Sequence, residues 1–224
     1  MKKDIEKCFQ LCNDQMGQVF PKIAPSDLQT IDLSSKNLEL SVEVVSDTAH
    51  FNQVIDTLLA GKVGIGGFLE HRSLYQRSSM YQGEEPRCIH LGVDVWAPAR
   101  TKVHAPWPGK VHSFQDNQGF GNYGPTIILE HAIEAMTFFT LYGHLSRSSL
   151  KNMQLGQTIE KNQLVGELGD FPENGDWPPH LHFQAMTDLL GNMGDFPGVV
   201  TLAEQYFYQT ICIDPQLLLT FKER

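Results

Sequence analysis

The sequence predicts a mainly β, antiparallel domain preceded by an N-terminal α/β extension. Two observations carry that reading. From Cys88 to Met186, short apolar and β-branched runs are separated by glycine and proline turns, the texture of an antiparallel sheet. Before about residue 70 the dominant spacing is helical instead. At 224 residues, with 41% hydrophobic and 19% charged residues, the chain has ordinary globular composition and enough length for a medium core plus an extension.

In chain order, Ile5, Cys8, Phe9, Cys12, Met16 and Phe20 form an apolar stripe that predicts a helix over 4–20, ended by Pro21. Residues 21–36 are turn-rich, 38–44 alternate like a strand, and 50–59 read as a short helix closed by Gly61. Residues 63–85, rich in glycine, polar residues and tyrosine, read as an irregular connector. Strands follow at 88–95, 102–105, 109–115, 125–131, 136–142, 156–160, 164–168 and 180–186, with hairpin turns expected at 106–109 and 160–163. A helix is expected over 201–210. The resulting division is an extension (1–70), a β domain (71–200) and a C-terminal helix and tail (201–224), with no internal repeat.

Seventeen basic against 26 acidic residues give a net charge of −9, which opposes attraction to nucleic acid or anionic lipid. The N-terminus lacks the apolar run of a signal peptide, and no stretch approaches the roughly 20 apolar residues a bilayer requires. A cytoplasmic chain without membrane insertion is therefore expected. The four cysteines, Cys8, Cys12, Cys88 and Cys212, are scattered and read as free thiols.

The chemistry concentrates in two segments. His180 and His182 project to one face of an extended segment while Leu181 and Phe183 enter a core. His90 and Asp94 share a face if their segment is extended. Together with one of the two imidazoles they make an N,N,O set suited to zinc with an open fourth position. His144 ends the apolar strand 136–142 and adds an imidazole at a strand end. His104 and His112 read as structural or solvent-facing, His131 as a support close to the site, and His50 and His71 receive no role.

These motifs, in this order, resemble the lysostaphin-like (LytM-type, beta-lytic) zinc metallopeptidases. The residues carrying the resemblance are His90-Leu91-Gly92-Val93-Asp94, the turn from Ala97 to Val103, Gly121-Asn122-Tyr123-Gly124 with Ile127 to His131, Tyr142-Gly143-His144-Leu145, and Pro179-His180-Leu181-His182-Phe183. Together they span roughly 86–190. The resemblance implies the family's duplicated-hybrid-motif fold and a bacterial hydrolase that cleaves a peptide or amide bond, such as a peptidoglycan cross-link, with zinc-activated water. It assigns His90, Asp94 and His182 to zinc and places the catalytic residues His144 and His180 beside the reacting water and carbonyl, either of them moving the proton. Tyr123 is assigned an oxyanion or substrate contact, or a packing role.

Two departures stand out. The loop from Gly169 to Pro179 is long and acidic with two aromatics, suited to selecting a cationic substrate or to forming a rigid cover. Gln184 stands where a glutamate often follows the final motif. Two alternative readings accompany the peptidase: a non-catalytic regulatory module on the same scaffold, and an intracellular hydrolase of a small amine or peptide metabolite.

Overall fold

The fold is seen in a computed structural model that describes residues 1–223. In chain order the elements are α1 (Lys2–Leu11), β1 (Leu28–Thr30), α2 (Val42–Ser46), α3 (Thr48–Leu59), β2 (Val63–Gly66), β3 (Ile89–His90), β4 (Val93–Trp96), β5 (Lys102–His104) and β6 (Gly109–Asn117). They continue with β7 (Gly124–Ile133), β8 (Met136–Gly143), β9 (Thr158–Ile159), β10 (Leu164–Glu167), β11 (His180–Met186), β12 (Val199–Val200), α4 (Gln205–Ile211) and β13 (Cys212–Ile213). The main sheet runs β1-β2-β4-β11-β8-β7-β6-β9, with β13 also on β11. Among the described residues only the β1–β2 pairing is parallel, and the mainly β, antiparallel class is confirmed.

Side-chain alternation decides which face of the central strands does what. Leu181, Phe183 and Ala185 of β11 enter one core with Val95, Val111, Ile127, Phe138 and Tyr142. The even-numbered residues, His180, His182 and Gln184, occupy the opposite face, again buried. α1 closes the first core, with Ile5 and Phe9 fully buried and Phe9 packed edge-on against Phe138 at 4.9 Å. The N-terminal helix therefore belongs to the sheet's own core.

Several expected elements differ. The first helix stops at Leu11, where Asn13–Gln15 make a short 3-10 turn and the Gly17 N–H donates to the Pro106 carbonyl. Met16 and Phe20 keep their burial in an irregular segment beyond that turn. Residues 38–44 are not a strand, since Ser41 caps α2 by accepting from the Val44 N–H. The segment 88–95 divides into β3, on β12, and β4, on β2 and β11. The turns at 106–109 and 160–163 are not hairpins: each links a strand of the main sheet to the separate β5–β10 pair.

The largest difference is β2, a strand within the stretch that reads as an irregular connector. Its glycines are needed for close approach, because a Cβ at Gly64 would meet Leu59 Cδ2 at 2.4 Å and one at Gly66 would meet Arg72 Nη2 at 2.9 Å. The same residues that weaken a strand signal let this strand lie against bulky neighbours.

Burial at the far end of β7 also corrects one expectation. His131 stacks on Phe138, its Nδ1–H donating to the Pro108 carbonyl at 2.9 Å, and supports no part of the His90–His182 cluster. Burial lowers its pKa to about 4. Because the unfolded chain would bind this proton near pH 6.5, the His131 contribution is fully present above that pH and is lost as pH falls toward 4. NMR titration should find the His131 ring neutral at pH 5, with urea stability lower at pH 5 than at pH 7. Phe9→Ala should cost about 3–5 kcal/mol in urea unfolding; an unchanged midpoint would mean that α1 is not part of the core.

Candidate active site

Pairing register brings the site together. His182 of β11 lies directly opposite Asp94 of β4, and His180 opposite Trp96. Cross-strand neighbours on one face have Cβ atoms about 4.5–5.5 Å apart, so an imidazole and a carboxylate there must meet. His90 joins from β3. Gly92, between His90 and Asp94, clears the way: a Cβ there would stand 2.6 Å from His182 Cε1 and 2.8 Å from the Phe183 carbonyl oxygen.

The three donors converge closely. His90 Nε2 and His182 Nδ1 are 3.0 Å apart, and Asp94 Oδ1 is 3.2 Å from each. His90, Asp94 and His182 are the group of potential metal-holding side chains found among the described residues. The far nitrogen of each ring is already engaged. His90 Nδ1–H donates to the Gly67 carbonyl at 3.0 Å, and His182 Nε2–H donates to Gln184 Oε1 at 3.0 Å. Lone pairs, not protons, therefore face the centre from both rings. Asp94 Oδ1 is buried and accepts no hydrogen bond. Burial alone would raise the Asp94 pKa, but His90 and Arg72 outweigh it and hold the carboxyl well below the usual range. Burial, reinforced by Arg72, lowers the His90 pKa to about 4.

His180 and His144 flank this cluster. His180 stacks on Trp96 at 4.0 Å, its Nδ1–H donates to the Pro178 carbonyl at 2.8 Å, and its Nε2 stands 3.9 Å from Asp94 Oδ1. His144 sits beyond the end of β8 in the left-handed region, φ 60°, a conformation uncommon for a residue with a side chain. Its Nδ1–H donates to the Asn174 carbonyl at 2.8 Å, and its ring lies 4.3 Å from that of His180. Burial lowers the pKa of both, that of His180 to about 4. Each ring is neutral at neutral pH with Nε2 left as an acceptor.

Tyr123 lies on the other side of His182, its hydroxyl 3.3 Å from Nε2, the nitrogen facing away from Asp94. The site opens into a cavity of about 330 Å³, to which Tyr75, Tyr81 and Arg87 contribute from one segment and Asp195 and Phe196 from another. From the 169–179 loop the lining takes Trp177 and none of the acidic residues. Glu173 instead pairs with Arg100 at 2.9 Å. Asn174 braces the loop internally, donating to the Trp177 carbonyl at 2.8 Å. Of the two aromatics expected to pack a rigid cover, Trp177 is buried and lines the cavity, whereas Phe171 is half exposed.

All six residues singled out from sequence, His90, Asp94, Tyr123, His144, His180 and His182, gather at this one place. Sequence reasoning missed Arg72, which reaches Asp94 from the segment read as a connector, Glu70, which holds Arg72, and Asn174 and Gln184, which orient two of the rings. Arg72 and Glu70 had no motif to mark them. Gln184 had a usable signal, since it shares a strand face with His182.

No curated protein compared with the chain matches it. Among solved structures, the catalytic domain of the antimicrobial peptidase lysostaphin from Staphylococcus simulans is 25% identical, covering 59% of this chain and 80% of that one, with a TM-score of 0.40. The catalytic domain of the prophage-encoded M23 protein EnpA from Enterococcus faecalis is 24% identical, covering 47% and 73%, with a TM-score of 0.38. A zinc containing peptidase from Vibrio cholerae is 24% identical at a TM-score of 0.34, covering 44% of this chain and 27% of that protein's length. The model of peptidase family M23 matches residues 88–192, the stretch that holds all six gathered side chains. Just under half of the chain is thus similar to peptidase family M23.

Proposed function

We propose that this chain is a zinc-dependent peptidase, with His90, Asp94 and His182 as the protein ligands. The observation that carries the proposal is the buried triangle itself. Two imidazole lone pairs and a carboxylate oxygen face one another at 3.0–3.2 Å with no proton to share. Such an arrangement is repulsive without a cation. Donors at roughly 2.0–2.1 Å from a tetrahedral zinc stand about 3.3–3.4 Å apart, close to the spacing observed. Three protein donors also leave the fourth position that hydrolytic chemistry requires.

When bound, zinc lowers the pKa of water to about 7 and polarises an amide carbonyl. The chain's own residues supply the rest. His180 acts as general base: its neutral Nε2 takes the proton of the attacking water, and the imidazolium then gives it to the departing amine. His144, beside it, presents a second neutral Nε2 that orients the water and stabilises the His180 imidazolium. We assign Tyr123 to holding the His182 ring and walling the cleft, because its hydroxyl is on the side of that ring away from Asp94. Trp96 and Trp177 exclude solvent around both free imidazoles. Residues 71–200 form the peptidase unit, residues 1–70 an extension that contributes to its sheet, and 201–224 the C-terminal tail. The substrate is a peptide or amide, with the peptide cross-link of peptidoglycan as the proposed physiological bond.

Protein purified from zinc-supplemented medium should carry about one zinc per chain by atomic absorption, and hydrolyse isolated peptidoglycan or short peptides. His180→Ala should retain the metal and lose about 10²–10⁴-fold in kcat. A folded protein without zinc would refute the assignment. Removing the metal with 1,10-phenanthroline should abolish hydrolysis, with recovery on adding zinc back; activity that survives complete removal would show a metal-independent mechanism.

A further inference from the structure

We propose that Arg72, held by Glu70, is a positioning residue that makes Asp94 present a single oxygen to the metal, so that residues outside 88–192 complete the centre. This rests on the zinc reading above. Arg72 is 2% exposed. Its Nη1 donates to Asp94 Oδ2 at 2.5 Å and its Nε donates to Glu70 Oε2 at 2.7 Å. A carboxylate can bind a metal through one oxygen or both. Here Oδ2 is engaged in a charge-assisted hydrogen bond, while Oδ1 alone faces His90 and His182.

The charge arrangement supports the same role. A guanidinium next to a dication would by itself repel it. Glu70 offsets that repulsion, leaving Asp94, Arg72 and Glu70 with one net negative charge among them. Burial would lower the Arg72 pKa, but Tyr75, Asp94 and Glu70 outweigh it and keep the group charged. Arg72 is thus a permanent cation whose geometry, more than its titration, matters.

The backbone of 67–72 explains how this precision is reached. The Leu69 N–H donates to the His90 carbonyl at 2.8 Å, the His90 N–H to the Glu70 carbonyl at 3.0 Å, and the Arg72 N–H to the Cys88 carbonyl at 2.8 Å. This segment therefore runs antiparallel beside β3. It sets His90 through the Gly67 carbonyl and Asp94 through Arg72. Supporting partners of this kind typically matter about 10–100-fold in metal affinity.

The test compares the full-length wild-type chain with Arg72→Met, Arg72→Lys and Glu70→Gln. Zinc affinity is measured by competition with a chromogenic chelator, folding by circular dichroism, and coordination by the visible spectrum of the cobalt(II)-loaded protein. Arg72→Met should bind zinc about 10–100-fold more weakly and show weaker cobalt bands, as the freed Asp94 oxygen raises the coordination number. Arg72→Lys should recover part of the affinity, and Glu70→Gln should weaken binding less than Arg72→Met does. Folded variants with wild-type affinity and spectrum would overturn the proposal, leaving zinc binding itself intact. Should Arg72→Met fail to fold, Glu70→Gln decides alone, and unchanged affinity there overturns it. A wild-type chain that takes up no metal would instead overturn the zinc reading and this proposal with it.

Discussion

The pairing register between β4 and β11 is the constraint on which the site depends. Because side chains alternate, placing His182 opposite Asp94 also places His180 opposite Trp96 and sends Val93, Val95, Leu181 and Phe183 to the other face. A slip of one residue on β11 would bury two imidazoles in the apolar core and turn Leu181 and Phe183 toward the carboxylate. The hydrophobic pattern that stabilises the sheet is therefore the same pattern that holds the chemistry in place. Strand β8, paired on the other side of β11, extends this frame to His144 just beyond its end.

Much of this was legible from residues. The range of β11 is the predicted one, since His180-Leu181-His182-Phe183 alternates cleanly and Pro178-Pro179 ends the loop before it. The histidines and Asp94 were found because metal-ligand residue types recur at strand spacing. What escaped had identifiable causes. β2 was hidden by Gly64 and Gly66, which lower strand propensity yet are what lets the strand approach Trp96 and Arg72. The early end of α1 was hidden because Met16 and Phe20 continue its apolar stripe, although they are buried by an irregular segment. Arg72 and Glu70 were hidden because nothing in a single sequence says which of its arginines will be buried against a carboxylate.

Electrostatics around the centre follow from burial more than from net charge. The chain carries −9 overall, yet the immediate neighbourhood of Asp94 consists of imidazoles, one arginine and one glutamate. Desolvation holds the His90 and His180 rings neutral, with pKa values near 4. That is the state in which an imidazole can bind a metal or accept a proton. One physical cause thus prepares both kinds of histidine, and position relative to Asp94 Oδ1 separates them: 3.2 Å for His90 and His182, 3.9 Å for His180.

The second hydrogen bonds of these rings have a consequence for how the site tolerates change. His90, His144 and His180 are each oriented by a main-chain carbonyl, from Gly67, Asn174 and Pro178. Any residue at those positions offers the same oxygen, provided the chain keeps its path. Orientation there is stored in backbone trajectory and is insulated from single substitutions. His182 is different, since its outer nitrogen is read by a side chain, Gln184. Drift can therefore retune this centre at position 184 while leaving the other three imidazoles in place.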